Sequence, residues 1–295
     1  MTLPHPHGAT HGPVVLTDDA ANSKVVIAPA RGAIVTSFCV SGRELMYFDQ
    51  ATFDDPEKNV RGGIPILFPS PGKLAGDEWR DAEGRQHSMK QHGFARNLPW
   101  MVEAVGQSNA SFLLMSDEST LAQYPAHFNA VFHVALEGTQ LRLGMQIHNT
   151  GQKPMRFGLG YHPYFRVDNK QRVSIDTDAT KAFNNVTQRI EPFRGFDFSQ
   201  PEVDLHLMDQ TQTASRMTFD DGSAIVVSGS EEFTYWVVWS VAGKPYVCLE
   251  PWSCPGNALN TGERLIELAG GESRHSWVEI RYEKTGLTRR SRSEE

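Results

Sequence analysis

Cysteine is nearly missing from this 295-residue chain: Cys39, Cys248 and Cys254 are odd in number and widely spread, with no Cys-x-x-Cys pair. That excludes a disulfide framework and a paired-cysteine zinc or redox motif, and it predicts reduced thiols in core or loop positions. Long hydrophobic runs are missing too. No apolar stretch approaches the roughly 18 residues of a membrane span, and the N-terminus lacks a charged segment followed by an apolar one. A cytoplasmic protein without a membrane partner is expected. Positive charge is in deficit, with 28 Lys and Arg against 35 Asp and Glu and a formal net charge of -7. Binding to phosphate backbones needs clustered Lys and Arg, so nucleic acid is excluded as the main partner.

Motifs that would demand a cofactor are also lacking. There is no glycine-rich phosphate cradle opening a helix and no Gly-x-Ser-x-Gly elbow. His-x-His occurs only at His5 and His7, which with His11 lie in a Pro-, His- and Gly-rich leader that offers no fixed ligand geometry. No metal and no cofactor are predicted. Residues 1–13 and 286–295 read as disordered tails, the latter holding the one basic run, Arg289-Arg290-Ser291-Arg292, followed by Glu294 and Glu295.

Helical periodicity is nearly absent, the best candidate being one or two turns over Glu118 to Tyr124. What the chain has instead is strands. Lys24 to Ile27, Ala33 to Val40, Ser111 to Met115 and Ala130 to Leu136 are strand-length apolar runs. In Leu141 to His148 the residues Leu141, Leu143, Met145 and Ile147 share one face, which predicts a half-buried strand. Ala224 to Val227, Thr234 to Ser240, Tyr246 to Leu249 and Trp277 to Tyr282 repeat the pattern between turn residues. No composition shift or fixed repeat divides the chain, so residues 14–285 are expected to form a single all-β domain, a large antiparallel β-sandwich.

Four segments carry more Gly, Pro and polar groups than packing requires, and binding residues favour such loops. Gly158-Leu159-Gly160-Tyr161-His162-Pro163-Tyr164-Phe165 sets an imidazole among rings, glycines and a proline, either as a core histidine or as an aimed functional one. Arg61 opens Arg61-Gly62-Gly63-Ile64-Pro65 to Gly72, where it is either solvated beside an Ω-like loop or presents its fork to a hydroxyl or phosphate. Gln91 to Trp100 places His92 and Arg96 beside aromatic rings, and an extended path would turn both towards one pocket. Polar side chains beside aromatic faces suit a sugar, whose hydroxyls need hydrogen bonds and whose C–H faces need apolar surface. Glu250 follows the run Tyr246 to Leu249, so it is expected at a strand end, as a solvated terminus or as a base shielded by Pro251 and Trp252.

Taken together, Arg61 to Pro69, His92 to Arg96, Gly160 to Phe165 and Leu249 to Glu263 resemble the aldose 1-epimerase (mutarotase) family, in family order and over most of the chain. The resemblance implies a galactose mutarotase-like β-supersandwich with a sugar in an open cleft, interconverting the α and β anomers of a free aldose without a cofactor. By the same resemblance His162 matches the catalytic acid, Glu250 the catalytic base, and His92 and Arg96 a substrate-binding pair. An Asp that binds a ring hydroxyl is matched by either Asp197 or Asp204. Arg61 before Gly-Gly looks like the hexose-6-phosphate branch, with Arg96 and Lys73 completing a phosphate clamp, whereas Gly-Tyr-His-Pro and Glu-Pro-Trp look like the branch acting on unphosphorylated sugars. A carbohydrate-binding sandwich without turnover is the remaining alternative.

The chemistry suits these side chains. Mutarotation breaks the bond from C1 to the ring oxygen while the anomeric hydroxyl loses its proton, so an acid and a base must flank one carbon. A nearby carboxylate is expected to keep His162 protonated for that purpose.

Overall fold

The computed structural model describes residues 12–284. Alternation of buried and half-exposed positions builds two large antiparallel sheets. Central to the first is Gln140–Asn149, paired with Phe128–Glu137 on one side and Ser273–Glu283 on the other. Its Leu141, Leu143, Met145 and Ile147 are all buried, as the period-2 pattern predicts. Each such side chain contributes about 1.5–3 kcal/mol when removed from water. Ala224–Gly229, Ala214–Thr218 and Ser174–Ile175 extend this sheet one way, Asn109–Met115 and Met101–Val105 the other.

The second sheet runs Arg189–Pro192, Lys181–Asn184, Glu202–Leu207, Tyr235–Val241, Tyr246–Trp252, Gly160–Tyr161 and Ile66–Leu67, with Tyr164–Arg166 also paired to Tyr246–Trp252. A four-stranded sheet near the N-terminus adds Leu16, Val25, Ile27 and Phe38 to the apolar cluster that also holds Leu143 and Leu249. The chain thus adopts the antiparallel sandwich class expected from its sequence. Helix is confined to short turns among the described residues. Glu118–Gln123 is started by Asp117, whose carboxylate accepts the Thr120 N–H while Thr120 Oγ1 accepts the Asp117 N–H. No described helix is long and apolar enough to cross a membrane.

Strand Tyr246–Trp252 positions the site. Val247 and Leu249 enter the main core, so Tyr246, Cys248, Glu250 and Trp252 occupy the opposite face. On that strand's far side Tyr164 pairs with Cys248 and Gly160 with Trp252. The same register sets His162 directly opposite Glu250, in a stretch where Pro163 and Pro251 supply no N–H and the ladder is interrupted. Directly opposed side chains in an antiparallel pair have Cβ atoms about 4.5–5.5 Å apart, close enough for their heads to meet.

Two expectations need correction, and a third falls outside the described residues. Glu250 is not at a strand end: the strand continues through Pro251 to Trp252 and Glu250 is 1 % exposed. Gln91 to Trp100 is not extended, because His92 and Gly93 take φ of +71° and +70° and fold the segment into turns. The expected tails lie outside the described residues apart from Gly12 and Pro13, which are exposed, so His5, His7, His11 and Arg289 to Arg292 receive no structural account.

Candidate active site

A cavity of about 840 Å³ opens beside the face of the second sheet that carries Glu250. Its walls include Arg61, His92, Arg96, His162 and Glu250, so all five residues singled out in the sequence reach one site.

His162 is held by rings. It stacks on Tyr164 with centroids 4.6 Å apart and planes 7° apart, and it meets Trp239 and His92 edge-on at 5.8 and 5.5 Å. Its backbone N–H donates to Pro65 O at 3.0 Å, which ties it to the loop opened by Arg61. Nδ1 lies 3.4 Å from Glu250 Oε1 without making a hydrogen bond, and the other carboxylate oxygen, Oε2, accepts the Trp252 Nε1–H at 3.1 Å.

His92 has a defined tautomer. Its Nδ1 accepts the Gly72 N–H at 3.1 Å, so the ring proton sits on Nε2 and that nitrogen can only donate. Arg96 Nη2 donates to Gln91 O at 2.9 Å, while its buried Nε has no partner among the described residues. Arg61 lays its guanidinium over the Trp239 ring at 5.1 Å.

Burial dominates the electrostatics. It pushes the His162 imidazole well below its ordinary value, with Arg96 and Arg61 adding to the effect. His92 is lowered for the same first reason, helped by Arg96. Burial pushes the Glu250 carboxyl well above its ordinary value, and the negative charge of Asp204 adds to that. It also brings Arg96 down to about 10. The expectation that a neighbouring carboxylate keeps His162 charged is therefore corrected. Burial favours the uncharged form of each of the two groups.

A buried carboxyl with a raised pKa makes the fold pay for ionisation. The cost is absent below the unfolded value near 4.5, grows as pH rises above it, and levels off above the folded value. Glu250→Gln, which keeps the shape and an acceptor for Trp252 Nε1–H, should therefore leave stability unchanged near pH 4. At pH 8 it should raise stability by about 1–2 kcal/mol, a Tm gain of about 2–8 °C. Thermal melts across that range check this; a variant less stable at every pH would contradict it.

The site also holds residues the sequence analysis left unassigned or overlooked. Asp204 lines the cavity, whereas Asp197 is bound up with Ser199 and Gln200 in a turn of its own. Asp204 Oδ2 accepts Asn185 Nδ2–H at 2.8 Å and Oδ1 lies 3.3 Å from His206 Nε2. His206 in turn has Nδ1 3.3 Å from the Tyr235 hydroxyl and meets the Trp252 ring edge-on at 5.4 Å. A signal for this wall exists in the sequence. Glu202, Asp204 and His206 alternate with Val203, Leu205 and Leu207, the pattern of a strand with one polar face. Lys73 and Glu202 also line the cavity.

Comparisons with known proteins agree with this arrangement. Residues 13–281 match the family model described as aldose 1-epimerase. The Slr1438 protein of Synechocystis sp. PCC 6803 has a solved structure that superposes with a TM-score of 0.90 at 36 % identity, covering 96 % of this chain and 100 % of that one. A galactose mutarotase related enzyme of Lactobacillus acidophilus shares the fold at 22 % identity, TM-score 0.76, over 94 % of this chain and 99 % of that one. A relative from Cenchrus ciliaris named "Putative glucose-6-phosphate 1-epimerase" is 29 % identical over 148 residues, 46 % of this chain; the match spans 41 % of that relative's length. With a family model matched across nearly all the described residues and a close structural likeness at 36 % identity, the chain belongs to the aldose 1-epimerase family.

Proposed function

We propose that this chain interconverts the α and β anomers of a free aldohexose by opening and closing the sugar ring. The observation that carries the reading is the opposed pair His162 and Glu250, 3.4 Å apart in the wall of one cavity. The anomeric hydroxyl and the ring oxygen hang on the same carbon, so an acid and a base this close together reach both. Ring opening moves the hydroxyl proton to Glu250 and a proton from His162 to the ring oxygen. The pair holds one proton before and after, so the step needs no net uptake from solvent. Hydrogen bonds from the sugar hydroxyls stabilise the charged arrangement from which the transfer starts. The open aldehyde turns about C1–C2 and closes with the roles reversed. His92 Nε2–H and the Arg96 and Arg61 guanidiniums supply donors only, suited to the ring oxygen and hydroxyl lone pairs. The C1–ring-oxygen bond breaks as the aldehyde forms and is remade on closure, both assisted by proton transfer and without a change of oxidation state that would call for a cofactor.

A second reading, a hexose 6-phosphate as substrate, is favoured by Arg61 and Lys73 lining the same cavity and by the name of the Cenchrus ciliaris relative. Glu202 and Asp204 on that wall oppose a phosphate dianion, and for this reason the free sugar is preferred. Polarimetry of freshly dissolved α-glucose and α-galactose, beside a coupled anomer assay of glucose 6-phosphate, separates the readings. Faster equilibration of a free sugar with a lower kcat/KM for the phosphate is expected. The opposite order moves the assignment to the phosphate, and sugar binding without acceleration of any anomer leaves only a carbohydrate-binding sandwich.

A further inference from the structure

Behind the pair lies a third group that the proton chemistry does not use. Cys248 is two residues before Glu250 on the same strand face and is fully buried. A ring nitrogen of His162, the Cys248 Sγ and a carboxylate oxygen of Glu250 all lie within 4.8 Å of one another. The His162 Nδ1 aimed at this spot is a buried polar atom without a hydrogen-bond partner in a side chain only 6 % exposed. We propose that His162, Cys248 and Glu250 form an inhibitory site for a thiophilic divalent cation such as Zn²⁺.

The ligand set is that of an open zinc site: three protein donors of N, S and O type, with the fourth position left for water from the cavity that His162 and Glu250 line. Zn–N near 2.0–2.1 Å and Zn–S near 2.3 Å give a tetrahedron whose edges are about 3.5 Å. Separations up to 4.8 Å therefore contract by as much as about 1.3 Å when the ion binds. Charge favours the complex. One thiolate and one carboxylate neutralise a dication beside a neutral imidazole, so the buried assembly carries no net charge. Binding releases two protons to solvent, one from the thiol and the one the His162–Glu250 pair holds, and it forms three metal–ligand bonds without a redox step. Arg61 and Arg96, close enough to lower the His162 pKa, oppose a cation and keep the site weaker than a dedicated structural one.

Occupied, the site would remove both proton-handling groups at once. That inhibitory half rests on the function proposed above; the binding half does not. Co²⁺ is a suitable probe for the full-length protein, because thiolate ligation gives a near-ultraviolet charge-transfer band that carboxylate and imidazole do not. The expected result is such a band saturating at one equivalent in the wild type, bleached by added sugar and absent from Cys248→Ser and Cys248→Ala. Zn²⁺ should suppress wild-type epimerisation, and the Cys248 variants should retain activity while needing at least tenfold more Zn²⁺ for the same loss. No band in the wild type, a band that survives in both variants and so belongs to Cys39 or Cys254, or unchanged zinc sensitivity overturns the proposal. Should both variants fail to fold, a wild-type band that sugar does not bleach would overturn it as well. A sugar-bleached, Cys248-dependent band in a protein that accelerates no anomer interconversion would uphold the metal site and sink the epimerase reading.

Discussion

Glu250→Gln is expected to lower kcat/KM for anomer interconversion by about 10²–10⁴-fold, the range that one positioned acid or base contributes. In transition-state stabilisation that is about 3–5.5 kcal/mol. The loss should fall on kcat, because the amide still accepts the Trp252 Nε1–H and keeps the cavity wall in place. His162→Gln should give a loss of similar size. The ring it removes stacks on Tyr164, so some loss of binding accompanies it. The double variant is the sharper test. The two proton transfers belong to one ring-opening step at groups 3.4 Å apart, so losing either one stalls that step, and the double loss should be close to the larger single loss. Polarimetric rates on the three proteins decide it. A single variant with wild-type kcat, or a double loss equal to the product of the singles, would show that the two groups do not act in a common step.

The sandwich was legible because its main strands write a period of two. Leu141 to Ile147 lie in a buried row, as their spacing requires. The gathering of Arg61, His92, Arg96, His162 and Glu250 was legible only through the resemblance of their motifs, since the segments carrying them are far apart in sequence. What was hidden depends on partners. Glu250 reads as a strand end because the apolar run stops at Leu249, yet the strand runs on to Trp252 beside an interrupted ladder, and the register across that gap sets His162 opposite Glu250. The charge state of the pair was misjudged for a related reason. A neighbouring carboxylate favours an imidazolium in water, but here burial outweighs it, and the amount of burial is a property of the packed sheet rather than of the motif. Asp204 could not be chosen over Asp197 until strand Glu202–Leu207 was seen to line the cavity.

Gly93→Ala should be a strongly damaging single-carbon change near the site. Gly93 adopts φ +70°, and a Cβ added there would stand 2.2 Å from Phe68 O and 2.5 Å from Phe68 C. That carbonyl already accepts the Phe94 and Ala95 N–H groups at 3.1 and 3.2 Å, so it cannot withdraw without breaking both bonds. The left-handed conformation alone costs an alanine roughly 1–2 kcal/mol. With the displaced carbonyl the total should reach about 3–5 kcal/mol, a fall in Tm of about 6–20 °C. Gly42→Ala separates the two contributions, because Gly42 has a similar φ of +83° with nothing within 4 Å of its added Cβ. It should lose only the roughly 1–2 kcal/mol of conformational strain. Function should follow stability at Gly93 alone. His92 is the adjacent residue, and both its backbone N–H, which donates to Gly72 O at 2.9 Å, and its Nδ1, which accepts from Gly72 N, depend on the path of this turn. A rise in KM with a smaller change in kcat is therefore expected for Gly93→Ala and no change in either for Gly42→Ala. Equal melting temperatures for the two variants would mean that the contact of the Gln91–Asn97 turn with Phe68 is not what holds His92 in the cavity wall.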